Sequence, residues 1–339
     1  MVYVVIVFLW TAILLYILLG GADYGAGIIE LFTSKANRPD TRKKMYEAIG
    51  PIWEANHMWL IIVIVILFVG FPVIYTTISI YLHIPLVCML LGIIARGTAF
   101  VFRNYDAVKD DMQKVYTRIF VLSSLITPFF LGIIAASSVS GQIDLNAPDF
   151  LSAYVYSWLN WFSVTTGIFT VTICAYLAVI FIIGEAGTEK DIKHFTRKAR
   201  HMIFVVMGAG ALVFIASYFE GIPLLNWILG DVLNIIAIVL ATISLLILFY
   251  MLNKNRPGLL RILAGFQVTM ILFAATYSHF PDIVLLKDGE NLSLLTHQGQ
   301  QKTIQTLGYA LLIGSVFILP ALVYLIYSFQ KKSGFQDEH

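Results

Sequence analysis

Charge is what this sequence has least of. Lys, Arg, Asp and Glu make up 12% of its 339 residues, about half the share of a soluble domain. With 59% apolar residues and a mean hydropathy of +0.84, a water-soluble globule is excluded. The net charge of +2 supplies no basic field for nucleic acid. Cysteine is nearly missing as well. Cys88 and Cys174 lie inside apolar runs, where they read as inert packing residues and not as a disulfide or metal pair. There is no C-x-x-C, no phosphate-binding glycine loop and no G-x-S-x-G. No His/Cys/carboxylate spacing resembles a metal site. The first apolar run lacks a basic leader and a small-residue cleavage site, so it reads as a retained helix. No catalytic residue and no metal ligand are expected in this chain.

What the chain has instead is long apolar runs. A membrane-crossing helix needs about 20 largely apolar residues. By that measure the sequence predicts nine, over 2–31, 51–71, 75–103, 115–139, 158–184, 201–219, 228–252, 259–279 and 304–329, with 330–339 as a short tail. The expected fold is one all-α polytopic membrane domain, 1–339. Gly70-Phe71-Pro72 supplies the turn between the second and third runs, because proline cannot continue a helical hydrogen-bond ladder. Basic residues alternate between connections. Lys35, Arg38, Arg42, Lys43 and Lys44 follow the first run, and Lys190, Lys193, Arg197, Lys198 and Arg200 the fifth. Lys254, Arg256 and Arg261 follow the seventh, and Lys331 and Lys332 the ninth. The segments 140–157, 220–227 and 280–303 carry few. The positive-inside rule then puts the N-terminus outside and the C-terminus in the cytoplasm, as nine crossings require. The short connections leave no room for a soluble catalytic domain.

The informative residues are the polar ones within the spans. Asp23 sits in Gly20-Gly21-Ala22-Asp23-Tyr24-Gly25-Ala26-Gly27, and a charge at the bilayer centre costs about 2.5–3.5 kcal/mol on insertion scales. Trp53, Glu54, Asn56, His57 and Trp59 open the second run. Arg96 and Arg103 lie in the last turns of the third. At about 1.5 Å per residue, Asp23, Glu54, His57, Arg96 and Arg103 fall in the cytoplasmic third. Glu54 and His57 are i and i+3 and share a helix face; the two arginines are seven apart, also on one face. Two readings stay open: a hydrated proton path past Glu54 and Asp23 with His57 and Asn56 beside it, or an ion-pair network locking three helices. Gly21 and Gly25, with Gly27 behind them, form a small-residue face for close helix packing. Trp53 and Trp59 read as interfacial anchors. His83 and His279 share an outer depth but are poorly placed as haem ligands. A proton-coupled secondary transporter is the alternative function, although no paired helix interruptions or midplane polar pocket support it.

These residues together resemble subunit II of the cytochrome bd-type quinol oxidases. The match carries a D-x-G-x-G segment, Asp23-Tyr24-Gly25-Ala26-Gly27. It carries a P-x-W-[DE]-x-N-x-x-W-L motif, Pro51-Ile52-Trp53-Glu54-Ala55-Asn56-His57-Met58-Trp59-Leu60. It also has an arginine-bearing third helix, Arg96-Gly97 to Phe102-Arg103, and Phe280-Pro281 after the eighth. The second motif is the specific one; order and spacing make the combination strong. The outer loops are shorter than in some members, so loop-borne lipid or quinone contacts are not carried over. The resemblance implies a bacterial plasma-membrane heterodimer. Its partner, subunit I, holds haems b and d and meets this chain through a large apolar interface; an additional small membrane subunit is compatible with it. Quinol and oxygen are the substrates of the complex, which is electrogenic without pumping protons, and this chain alone binds no cofactor. The motif acid linked to proton delivery is Glu54 here. Some members hold a quinone in this subunit near the third-helix arginine, which makes Arg96, with Arg103, a charge partner or a quinone contact.

Overall fold

The first span shows how these sequences make membrane helices. α1 (Val2–Leu15) is uniformly apolar, passes through a π-helical stretch, Tyr16–Gly20, and continues as α2 (Gly21–Leu31). In hydrocarbon every backbone amide must be paired within the segment, so the continuous ladder across the wider π turn is what makes these elements one 30-residue crossing. The structure is a computed structural model. It describes all residues except 34–37, 39–40, 44, 46–52, 106–111, 187, 255 and 334–339, and the side chains of 53–55, 104–105, 322–323 and 325–333 are also outside the description.

The chain continues as α3 (Trp53–Gly70), α4 (Pro72–Tyr81), α5 (His83–Tyr105), α6 (Met112–Val139), the short α7 (Phe150–Tyr154) and α8 (Trp161–Ile183). Then come α9 (Glu189–Phe219), the short α10 (Leu224–Leu229), α11 (Val232–Met251), α12 (Pro257–Tyr277), a hairpin of β1 (Asp282–Val284) and β2 (Leu292–Ser293), and α13 (Gln301–Ser333). Among the described residues, eight helical segments are long and apolar enough to cross a membrane. A ninth arises when Asn56–Gly70 and Pro72–Tyr81, bent by 115° at Phe71, count as one span.

The observed third region differs from the single helix expected over 75–103. α4 ends at Tyr81, Leu82 leaves helical geometry, and α5 begins at His83. Hydropathy is blind to this break because both sides are apolar. Pro85 is the local signal: it lacks an amide hydrogen and belongs in a first helical turn. The sixth span also begins earlier than expected, at Glu189 and not 201. Thr188 caps it, its hydroxyl accepting from the Asp191 amide. Phe195, Ala199 and Ile203 make a buried stripe four residues apart, so the basic segment is an amphipathic extension of the helix.

α2 lies between α6 and α8 and forms the centre of the bundle, while α5 packs on α6, α9 on α8, and α11 on α12. The main core gathers Tyr16, Tyr24, Trp59, Leu177, Phe195 and Leu260. A second core closes the end of the bundle where the chain enters α1, and Val5, Phe71, Ile143, Val284 and Leu292 meet there. The 280–303 connection is folded there: the Leu285 amide donates to the Ser138 carbonyl, and the Gly299 amide to Gly70. Phe280–Pro281 is a cis peptide bond. On the same side Glu220 accepts from the amides of Trp161 and Phe162. The exposed rings of Trp161, Tyr218 and Phe219 cluster at these helix ends, as an interfacial aromatic belt does.

Candidate functional site

The first turn of α2 places Asp23 against α5 and α6. Its carboxylate is 1% exposed, and so is Arg96. Arg96 Nη1 donates to Asp23 Oδ2 at 2.7 Å and Nη2 to Oδ1 at 2.7 Å. Nη2 also reaches the Asp23 carbonyl at 2.9 Å, and Nε donates to Ser124 Oγ at 2.9 Å. A guanidinium has five N–H donors in a planar fork. Here that fork meets both carboxylate oxygens, one carbonyl and one hydroxyl. The rings of Tyr24 and Phe120 lie 4.9 and 4.8 Å from the guanidinium carbon. Desolvation of the two charges is offset by bidentate pairing, hydrogen bonds and ring faces.

A second ion-pair cluster lies two helical turns further along α2. Glu30, 2% exposed, accepts from Arg103 Nη1 at 2.9 Å and from Arg42 Nε at 2.8 Å. Arg103 also lies 4.0 Å from the Phe120 ring centre. Asp23 and Glu30 are seven residues apart on α2, as Arg96 and Arg103 are on α5. The pairs match in order, so these two helices run in the same direction, which requires the chain between them to cross the membrane once. α3 with its bent continuation α4 is the helical segment available for that crossing. The rungs are separated by about 10 Å along the axis.

The glycines set how closely α2 can be held. A Cβ on Gly25 would overlap the Cys174 carbonyl of α8, and one on Gly27 would overlap the Ser124 hydroxyl of α6. At Gly21 it would meet only side-chain atoms at 3.4 Å or more. Gly25 therefore admits α8, and Gly27 admits α6, which carries Ser124 and on which α5 with its Arg96 packs.

Around this clamp, the hydroxyls of Tyr16 and Tyr24 are 2.9 Å apart in the core. The His57 ring centre is 5.9 Å from Tyr24 and 6.4 Å from Tyr16, and Asn56 is buried beside it in the sequence. The expected Asp23, Arg96 and His57 thus come together, whereas Arg103 goes to Glu30. Trp59 is 6% exposed and belongs to the main core, so it does not sit as an exposed interfacial anchor. The side chains of Glu54 and Trp53 lie outside the described residues. Sequence reasoning missed Glu30, Tyr16, Ser124 and Phe120. Only Glu30 had a usable signal, its spacing of seven from Asp23.

His83 and His279, weighed above as haem ligands, each have other partners. His83 is hydrogen-bonded through Nδ1 to the Ile80 carbonyl and packs on Tyr154. His279 sits edge-on to Trp227, 4.3 Å between ring centres, and burial holds its imidazole below the ordinary range while Asp282 acts in the opposite sense. The two rings occupy separate neighbourhoods. Among the described residues, no three His, Cys, Asp or Glu side chains converge as metal ligands.

Comparison with known proteins adds the family. The family model described as cytochrome bd terminal oxidase subunit II matches residues 1–329. The chain is 25% identical to cytochrome bd ubiquinol oxidase subunit 2 of Bacillus subtilis, over 94% of this chain and 92% of that one. It is 21% identical to a probable cytochrome oxidase subunit 2 of Haemophilus influenzae, over 97% of this chain and 95% of that one. Its fold is similar to a chain in the structure of bd oxidase from Geobacillus thermodenitrificans, with a TM-score of 0.75 and 21% identity, covering 96% of this chain and 98% of that chain.

Proposed function

The chain belongs to the cytochrome bd terminal oxidase subunit II family, and on that premise we propose how its buried polar groups divide their work. It is a multi-pass bacterial membrane protein and one subunit of a quinol-oxidising oxidoreductase, paired with a subunit I. With that membership the secondary-transporter reading falls away. We assign the haems and the oxygen chemistry to subunit I, and to this chain the support of that subunit and a route for protons from the cytoplasmic side.

Within this chain the Asp23–Arg96 pair is a structural clamp and not a proton station. The observation that carries this is the bidentate contact: both carboxylate oxygens are engaged by one guanidinium and the pair is sealed from solvent. A carboxylate serves as a proton station only with a route to a donor, and this one is 1% exposed and held on both oxygens by a guanidinium. Glu54 is the better proton station. It precedes His57 by three residues on α3, on one helix face, and His57 leads to the hydrogen-bonded Tyr16–Tyr24 pair. Oxygen reduction to water consumes protons, and a buried site takes them only through polar groups or water. A quinone beside Arg96 has little support, because four of its contacts are already within the protein.

The test compares two acids in the assembled complex. Glu54→Gln should keep full haem content and slow oxygen consumption per haem by about tenfold or more, while Glu54→Asp largely restores it. Full turnover and normal cytoplasmic proton uptake in Glu54→Gln would remove Glu54 from the path.

A further inference from the structure

Two hollows on the bundle surface share a floor. The first, about 290 Å³, lies at the basic end of α9 and is bounded by His194, Arg197, Lys198 and His201. The second, about 590 Å³, is a cleft between α2, α6, α8 and α9, reaching from Met202 and Val205 to Phe129 and Ile168. Ile29, Phe32 and Met202 line both. Phe32 is 74% exposed at this junction. The cleft walls are apolar throughout; the Thr172 hydroxyl is turned to the Phe169 carbonyl, so that residue offers its methyl. One continuous groove therefore runs from a cationic rim into a dry slot.

We propose that this groove binds one anionic phospholipid, its phosphate held by Arg197 and Lys198 and an acyl chain laid in the cleft. The Lys198 ammonium has three donors; one goes to Thr33 Oγ1 at 2.9 Å. Arg197 is exposed, and among the described residues no carboxylate pairs with either cation. An exposed guanidinium suits phosphate by its bidentate fork. The depth also fits. From Arg197 to Met202 is about 7.5 Å along the helix, about the thickness of one headgroup layer outside a 30 Å hydrocarbon core. A zwitterionic lipid would fill the slot equally well but lacks the net charge the rim complements. A peptide would need partners for its backbone that an apolar slot does not supply.

The experiment uses the purified two-subunit complex, stripped with detergent and titrated with micelles carrying phosphatidylglycerol or phosphatidylcholine. Retained lipid is counted by native mass spectrometry. The wild type should retain phosphatidylglycerol about tenfold more tightly. Arg197→Gln with Lys198→Gln should abolish that preference. Lys190→Gln with Lys193→Gln, which removes the same charge from the exposed start of α9, should leave it intact. Val205→Trp keeps every charge and fills the cleft from an exposed position, so it should lose both lipids. Equal retention of the two lipids by the wild type, or a preference that survives the Arg197/Lys198 pair of substitutions, would overturn the proposal. So would displacement by inorganic phosphate together with wild-type retention in Val205→Trp, which would mean a free-anion site.

Discussion

Asp23→Asn is the perturbation that separates a clamp from a proton station. Asparagine keeps the shape and one acceptor but removes the charge, and leaves Arg96 cationic in a site 1% exposed. Arginine cannot neutralise itself by losing a proton. The cost of breaking a buried pair from one side is about 3–5 kcal/mol, or two to four orders of magnitude in the assembly equilibrium. Ser124, the Asp23 carbonyl and the two ring faces remain, so the lower half of that range is expected. Arg96→Met should do less harm, because the stranded carboxyl can be relieved by binding a proton. The double substitution Asp23→Asn/Arg96→Met strands no charge and should recover most of the loss.

The assay is haem per complex after detergent extraction, its survival on graded heating, and oxygen consumption per intact haem. The clamp predicts low haem and early heat loss in Asp23→Asn, near-normal turnover in the molecules that survive, and recovery in the double variant. Normal haem and heat tolerance with collapsed turnover would refute the reasoning and make Asp23 a proton carrier. A double variant no better than Asp23→Asn alone would refute the claim that the stranded cation causes the damage.

Two further outcomes follow from the same geometry. Gly25→Ala should abolish assembly, since its Cβ would overlap the Cys174 backbone, whereas Gly21→Ala, meeting side chains at 3.4 Å or more, should be nearly silent; haem content of the extracted complex reads both. Arg103→Leu should destabilise the complex to heat more than Arg42→Leu, although both bond Glu30, because Arg103's side chain is 5% exposed and Arg42's 35%, and solvent weakens the outer pair; equal losses would contradict this.

How much of this could be read from the sequence follows from what hydropathy measures. A window average reports depth along the membrane normal. Asp23 and Arg96 fall at one depth, so their meeting was legible, as were the order of the spans and the turn at Phe71. Azimuth is not contained in that average. Trp59 has the depth of an interfacial anchor, yet it is buried in the main core, and a nearly uniform apolar helix gives no stripe by which to see this. The same blindness hid the break at Leu82 and the helical start at Glu189, where the local signals were a proline in a first turn and a threonine cap. Glu30 was missed for another reason: it stands where a span ends, and acids there are ordinarily solvated. The i and i+7 spacing shared by Asp23–Glu30 and Arg96–Arg103 is the stronger kind of evidence. Two matched pairs fix register and direction between helices, which one pair cannot do. Charges inside a membrane segment are therefore best read as spacings to be matched between helices before they are read as single sites.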